Sequence, residues 1–219
     1  MKLYGYYRSS ASYRIRIILN YKVIGWEYEP VRLNLGEQQS SKFRKQNPLG
    51  FVPVLDTGEI SLTQSAAIAE FIEERAPEPK LLPADASGRA QVREMMGIIG
   101  CDIHPLQNLR ILKYLRAEFG QDDAAVAAWC RRWISDGFYA YEKLTQQRST
   151  DGNFSCGAAP TLADAWLIPQ VYNARRFELD LASFPGIVAI DAHCNQLAAF
   201  ASARPEQQLD APQMQQAEE

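Results

Sequence analysis

Tyr6-Tyr7-Arg8-Ser9-Ser10-Ala11-Ser12-Tyr13-Arg14-Ile15-Arg16-Ile17 decides how the rest of this chain is read. Just before it, Leu3 to Tyr7 is a short apolar run of strand length. Behind it, Ile15, Ile18 and Leu19 recur at helical spacing, which predicts a helix over Ser12 to Lys22. A strand that feeds a helix through a serine-rich turn collects hydroxyls and unpaired backbone N–H groups at the positive end of the helix. Such an end can hold an anion, a thiolate included. The same serines, Ser9, Ser10 and Ser12, also read as plain helix caps.

Outward from this stretch, residues 1–80 alternate strand and helix signals. Glu27 to Val31 predicts a second strand, beside Trp26 and containing Tyr28. Leu35 to Gln46 is polar and reads as a loop with a short helix. Phe51 to Leu55 is a third strand containing Pro53, which demands an edge, a strand start or a cis bond. Asp56-Thr57-Gly58-Glu59 is a hairpin connection to a fourth strand, Ile60 to Leu62. Gln64-Ser65 then opens a helix through about Arg75, stopped by Pro77 and Pro79. The order predicts a small mixed sheet with helices, an α+β unit.

Pro77, Pro79 and Pro83 mark a connector, and beyond Asp85 strand signals vanish. Residues 86–118 read as one long helix kinked at Pro105. Residues 123–146 read as another. Thr161-Leu162-Ala163-Asp164 is a capping box opening a helix to about Glu178 with Pro169 inside it, so Asp164 reads as structural. Pro185 to Ala201 predicts a last helix. The sequence thus divides into 1–80, an all-helical 86–202, and a tail, 203–219, whose Gln, Ala, Pro and Glu read as loose.

Composition narrows the function classes. The chain has 219 residues, 47% hydrophobic and 22% charged, enough for a real core. Net charge is −3 with no basic stripe, which argues against a nucleic-acid partner, and no span or basic amphipathic segment suggests a membrane. The four cysteines, Cys101, Cys130, Cys156 and Cys194, are widely spaced and read as reduced thiols of a cytoplasmic protein. With only His104 and His193 besides, no metal site is expected.

A strand–helix unit over 1–80, a linker and an all-helical remainder resembles the cytosolic glutathione transferases over nearly the whole length. The Arg8-Ser9-Ser10-Ala11-Ser12-Tyr13-Arg14-Ile15-Arg16-Ile17 run resembles the serine-rich signature of their zeta class. Asn47-Pro48 with Val52-Pro53 is similar to that fold's loop and cis-proline, and Gln64-Ser65 to its pair for the γ-glutamyl group. Gly100 to Asn108, and Pro169-Gln170-Val171 with Ala174-Arg175-Arg176-Phe177, resemble the maleylacetoacetate and maleylpyruvate isomerases, the Cys-Asp-Ile-His-Pro run leaning to the maleylpyruvate branch. The resemblance implies a thioredoxin-like N-terminal domain, an all-α C-terminal domain, glutathione as cofactor and a homodimer. One departure stands out: the family often carries cysteine or threonine where this chain has Ala11, so no enzyme thiol can act there.

What the resemblance implies chemically is a glutathione-dependent cis–trans isomerase acting on a small maleyl keto-diacid in aromatic-compound catabolism. Ser9 and Ser10 would hold the thiolate. Arg8 and Arg176 would take the substrate's two carboxylates as bidentate partners. Val52, Pro53, Gln64 and Ser65 would bind glutathione. His104 and Asn108, four apart and so on one helix face, would contribute to its binding. Arg14 and Arg16 are expected in structural ion pairs. Two other readings stay open at this point: a transferase conjugating small electrophilic acids, and a non-catalytic binding module of the same fold.

Overall fold

Leu3 and Gly5 turn inward while Lys2 and Tyr4 lie further out, the period of two that one covered face imposes on a strand. This strand, β1 (Lys2–Gly5), is the hub of a four-stranded sheet in the computed structural model, which describes residues 1–212. It is followed by α1 (Ser10–Tyr21), β2 (Glu27–Pro30), 3-10 turns at Leu33–Leu35 and Glu37–Gln39, and α2 (Ser41–Arg44). Then come β3 (Val54–Asp56), β4 (Ser61–Thr63) and α3 (Ser65–Arg75). The sheet order is β2-β1-β3-β4. β1 runs parallel to β2 across the α1 crossover and antiparallel to β3, and β3 pairs antiparallel with β4. The predicted strands and helices of this region are present, with ends that differ by a few residues.

The chain forms two units: Met1–Pro79 with the chain from Ala198 onward, and Lys80–Leu197. In the first, Leu3, Ile15, Ile17, Ile18, Leu19, Val54, Leu55, Ile68 and Ile72 are fully buried. Lys22 is buried with them at the end of α1. Its ammonium group donates to the carbonyls of Ala76 (2.6 Å) and Pro79 (2.9 Å) and pairs with Glu73 at 2.7 Å. One lysine so closes the C-terminal end of α3 and fixes where the chain leaves it.

The same unit contains α9 (Ala198–Ala201) and a 3-10 turn, Pro205–Gln207. This corrects two expectations. Pro185 to Ala201 is not one helix: α8 (Pro185–Cys194) ends before α9 begins. Nor is the tail loose from 203: Ala203 and Pro205 are buried, and Arg16 of α1 donates to Ala203 O at 2.9 Å. Residues 213–219 of that expectation lie outside the described residues.

The second unit is helical: α4 (Ala86–Gly97), α5 (Leu109–Phe119), α6 (Asp123–Arg148), α7 (Leu162–Arg176) and α8. α7 is its centre, with every residue from Leu162 to Val171 buried. Its start is the predicted capping box. The Thr161 hydroxyl accepts from Ala163 N, and the buried Asp164 carboxylate accepts from Thr161 N and Ser155 N, both at 2.7 Å. Glu142 of α6 accepts from Gly186 N and Ile187 N at 2.8 and 2.9 Å, which satisfies the first turn of α8.

The predicted long helix over 86–118 is interrupted, not merely kinked. Pro105 has no N–H to return to Cys101 and its ring crowds that carbonyl. The chain responds with a π-helical stretch, Ile98–Ile103, then a 3-10 turn, His104–Gln107, before α5 starts afresh with Asn108 as its cap.

Candidate active site

Strand register places the site of the first unit. Tyr4 pairs with Val54, and Val54 with Thr63. The end of β1, the start of β3 and the end of β4 therefore lie at one end of the sheet. That brings together the turn after β1 (Tyr6 to Ser10), the Val52-Pro53 pair ahead of β3 and the Gln64-Ser65 pair after β4. Residues predicted from three distant stretches of sequence share one sheet end.

Each is fixed locally. Ser9 is the N-cap of α1, in extended conformation, and its hydroxyl accepts from Ser12 N at 3.2 Å. That contact uses a lone pair and leaves the O–H proton free to donate. Ser10 and Ala11 are the first two residues of the helix, whose early N–H groups face the same end. Arg8 is exposed in the turn, with its guanidinium 5.8 Å from the Tyr7 ring. Burial, followed by a hydrogen bond with Tyr7, pushes the Tyr6 phenol up to about 12, so it stays protonated at neutral pH.

The Val52–Pro53 peptide is cis. The loop leading to it is stapled by buried Asn47, which donates to Phe51 O at 2.8 Å and accepts from Leu49 N at 3.1 Å. Gly50 completes it at φ 66°, where a Cβ would sit 2.9 Å from Gln38 O, so only glycine fits. Gln64 is exposed and holds φ 69°, ψ 113°, a region that non-glycine residues rarely occupy. Strain of that kind collects at binding sites. Ser65, the first residue of α3, is buried and accepts from Arg14 at 3.2 Å. Arg14 therefore joins the first turn of α3 to α1.

In the second unit the outcome is mixed. Arg176 is exposed in the last turn of α7, its guanidinium 4.5 Å from the Phe177 ring. His104 and Asn108 do not share a helix face. His104 begins the 3-10 turn, and Asn108 is an extended N-cap whose side chain accepts from Arg110 N at 3.1 Å. The break at Pro105 puts them in different elements.

Sequence reasoning missed a buried amide cluster in this unit. The Gln107 side-chain oxygen accepts from Gln170 Nε2 at 3.1 Å and from Asn173 Nδ2. The spacing of Gln170 and Asn173, three apart on a helix otherwise apolar on that face, was the available signal. Arg175 of the same helix pairs with Asp191 of α8 at 2.6 Å. Among the described residues, no cluster of three or more His, Cys, Asp or Glu could hold a metal, and no helix is long and apolar enough to cross a membrane.

Comparison with known proteins finds relatives that cover nearly all of the chain. The model of the glutathione S-transferase N-terminal domain matches residues 1–74. A maleylpyruvate isomerase of Ralstonia sp is 52% identical over 210 residues, covering 96% of this chain and 99% of that protein. The solved holo structure of maleyl pyruvate isomerase, a bacterial glutathione S-transferase in zeta class, superposes with a TM-score of 0.95. It is 51% identical and covers 97% of this chain and 100% of its own. A maleylacetoacetate isomerase from Anaeromyxobacter dehalogenans, solved with dicarboxyethyl glutathione and citrate in its active site, is 41% identical with a TM-score of 0.86, covering 96% and 97%.

Proposed function

The chain belongs to the zeta-class glutathione S-transferases, the family of the maleylpyruvate and maleylacetoacetate isomerases, and from that premise we propose that it is a glutathione-dependent cis–trans isomerase of a maleyl keto-diacid, maleylpyruvate or maleylacetoacetate. The observation that carries the reading is the gathering of Ser9, Ser10, Val52-Pro53 and Gln64-Ser65 at one end of the sheet. A helix start with a free hydroxyl suits a sulfur anion. A strained Gln64 ahead of a second helix start suits the γ-glutamyl carboxylate.

Glutathione supplies the nucleophile. A free thiol titrates near ~8.5, so little is ionised at neutral pH. The partial positive charge of the α1 N-terminus and the Ser9 O–H favour the anion. Thiolate adds to the cis double bond, and the displaced electron pair moves onto the conjugated ketone as an enolate. The former double bond is now single and rotates. The enolate collapses, the double bond re-forms as trans, and the thiolate leaves. No atom is gained or lost, so glutathione acts as a true cofactor. The dicarboxyethyl glutathione held by the Anaeromyxobacter protein has the skeleton that thiolate addition to a four-carbon enedioate produces.

This chemistry sets the residue roles. Ser9 and Ser10 stabilise the thiolate. Val52, Pro53, Gln64 and Ser65 bind the tripeptide, with His104 and Asn108 contributing to its binding. Arg8 and Arg176 take the carboxylates of the diacid, which favours the isomerase over conjugation of neutral electrophiles. The working form is a cytoplasmic homodimer, where reduced glutathione and the four free cysteines coexist. Light scattering that finds a 24.7 kDa monomer at micromolar concentration refutes the dimer.

The deciding experiment is turnover of maleylpyruvate and maleylacetoacetate with and without glutathione. Isomerisation of at least one, strictly dependent on glutathione and with none consumed, is the expected result. Turnover without any thiol, or accumulation of a stable conjugate in place of the trans isomer, overturns the reading.

A further inference from the structure

The turn that presents Ser9 is held by the far end of the chain. Tyr6 O accepts from Ser9 N at 2.9 Å, closing the turn, and also from Arg16 Nη1 at 3.5 Å. Tyr7 O accepts from Arg16 Nη2 at 2.9 Å. Tyr7 N donates to the Asp210 carboxylate at 2.9 Å, across 203 residues of sequence. The Arg16 guanidinium is fully buried and its Nε donates to Ala203 O at 2.9 Å. One side chain so bridges the turn and the C-terminal segment. Asn20 fastens the same segment through Ala199 O (3.4 Å) and Ser202 Oγ (3.0 Å). Gln208 ties it internally to Ser202 O and Arg204 O at 3.1 and 2.8 Å.

We propose that Asp210 and Arg16 are positioning residues for the thiol-activating turn, and that the C-terminal segment is a strap that fixes where Ser9 points. The proposal rests on the glutathione reading above. Its physical basis is that a turn's backbone groups, left to water, allow the turn several geometries, whereas here Tyr6 O, Tyr7 O and Tyr7 N are tied to the charged side chains of Arg16 and Asp210. Burial lowers Arg16 to about 10, with Tyr28, Tyr13 and Asp210 opposing the shift, so the guanidinium is charged at neutral pH. Asp210 acts on that charge only through space, and the hydrogen bonds of Arg16 go to carbonyls. Both residues meet the turn through its backbone. They act through Tyr6 and Tyr7 on Ser9.

The test uses the full chain carrying Asp210→Ala, Asp210→Asn and, as a milder release, Gln208→Ala. Four quantities are read: the thermal midpoint, glutathione affinity by calorimetry, the pH profile of kcat/KM, and amide exchange at Tyr7 to Ser10 beside that of α7. Asp210→Ala should speed exchange at Tyr7 to Ser10 and leave α7 unchanged. It should also shift the thiol limb of the pH profile upward, so that turnover near pH 7 falls about tenfold and recovers at higher pH. Asp210→Asn keeps an oxygen facing Tyr7 N and should stay within about threefold. Gln208→Ala should move both readouts the same way by less. Unchanged exchange at Tyr7 to Ser10 in Asp210→Ala overturns the strap whatever the substrate. So does a turnover loss that follows the thermal midpoint with no shift of the pH profile. Absence of glutathione binding in the unaltered chain would instead sink the functional reading, and the exchange data would still judge the strap.

Discussion

Ser9 performs two tasks with one oxygen, and substitutions can separate them. As N-cap it accepts from Ser12 N at 3.2 Å, a contact whose loss in Ser9→Ala costs about 1 kcal/mol. For a chain of this size that lowers the melting temperature by about 2–4 °C. Against a total stability of about 5–15 kcal/mol the protein stays folded in the assay, so capping alone cannot reduce turnover. The second task is donation of the hydroxyl proton to sulfur. Loss of one well-placed donor to a developing anion costs roughly a hundred- to thousandfold, and a diffuse sulfur anion should fall below that range, at about tenfold or more. Ser9→Asp keeps an equally good cap acceptor but has no proton and places a negative charge beside the thiolate. Ser9→Thr keeps both functions. Stability should rank Ser and Asp together above Ala, whereas turnover should rank Ser and Thr far above Ala and Asp. The assay is initial rates of diacid isomerisation at saturating glutathione, beside thermal melts of all four proteins. An Asp variant as active as the original, or an Ala variant that loses less than threefold, would refute the donor role and leave Ser9 a cap.

Three further outcomes are expected. Lys22→Met removes the ammonium partner of the buried Glu73 carboxylate and the donor to the Ala76 and Pro79 carbonyls, so it should cost about 3–5 kcal/mol and lower the melting temperature by roughly 10 °C; a shift under 2 °C would show that the pair contributes nothing net. An alkylating reagent at neutral pH should take one rapid equivalent, at exposed Cys101, since burial pushes the Cys130 thiol up to about 11 and raises Cys156 and Cys194; the desalted product should keep its turnover, and loss of turnover would implicate a protein thiol. Arg8→Ala and Arg176→Ala should each impair diacid isomerisation more than tenfold while scarcely affecting conjugation of a neutral chloronitrobenzene, and equal losses in both reactions would assign the arginines to folding or to glutathione.

What the sequence made legible was local. The apolar run from Leu3, the helical spacing behind Ser12, the Asp56-Thr57-Gly58-Glu59 connection and the Thr161 capping box each depend on neighbours within a few residues, and all reappear in the structure. The co-location of Ser9, Pro53 and Gln64 was available through strand order. Pro105 was seen, but its consequence was not. Whether a proline kinks a helix or ends it depends on what packs around it, here the π-helical stretch and a new cap at Asn108. The tail was misread for a related reason. Its composition is that of a solvated chain, and nothing in Gln, Ala and Pro announces that Arg16 and Tyr7 have backbone and carboxylate partners waiting at Ala203 and Asp210. Arg16 itself was expected in an ion pair, whereas its hydrogen bonds go to carbonyls.

The position of Ala11 decides where the sulfur must come from. It is the second residue of α1, immediately after Ser10, in the first turn of the helix. All four cysteines of the chain lie between residues 101 and 194, inside the helical unit, and only Cys101 is exposed. Residues 1–79, which gather Ser9, Pro53 and Gln64 at one end of the sheet, therefore contain no cysteine. A site with a donor hydroxyl, a positive helix end and a strained residue ahead of a second helix start, but no nucleophile of its own, needs one delivered with a carboxylate to anchor it. Glutathione meets both requirements, since its γ-glutamyl carboxylate and its thiol are parts of one molecule. The absence of a protein thiol at position 11 is then no deficit, because the addition, rotation and release steps all use the sulfur of the cofactor. Placing a cysteine there by Ala11→Cys should not raise isomerisation. A large gain would mean that the protein's own sulfur can carry the addition step.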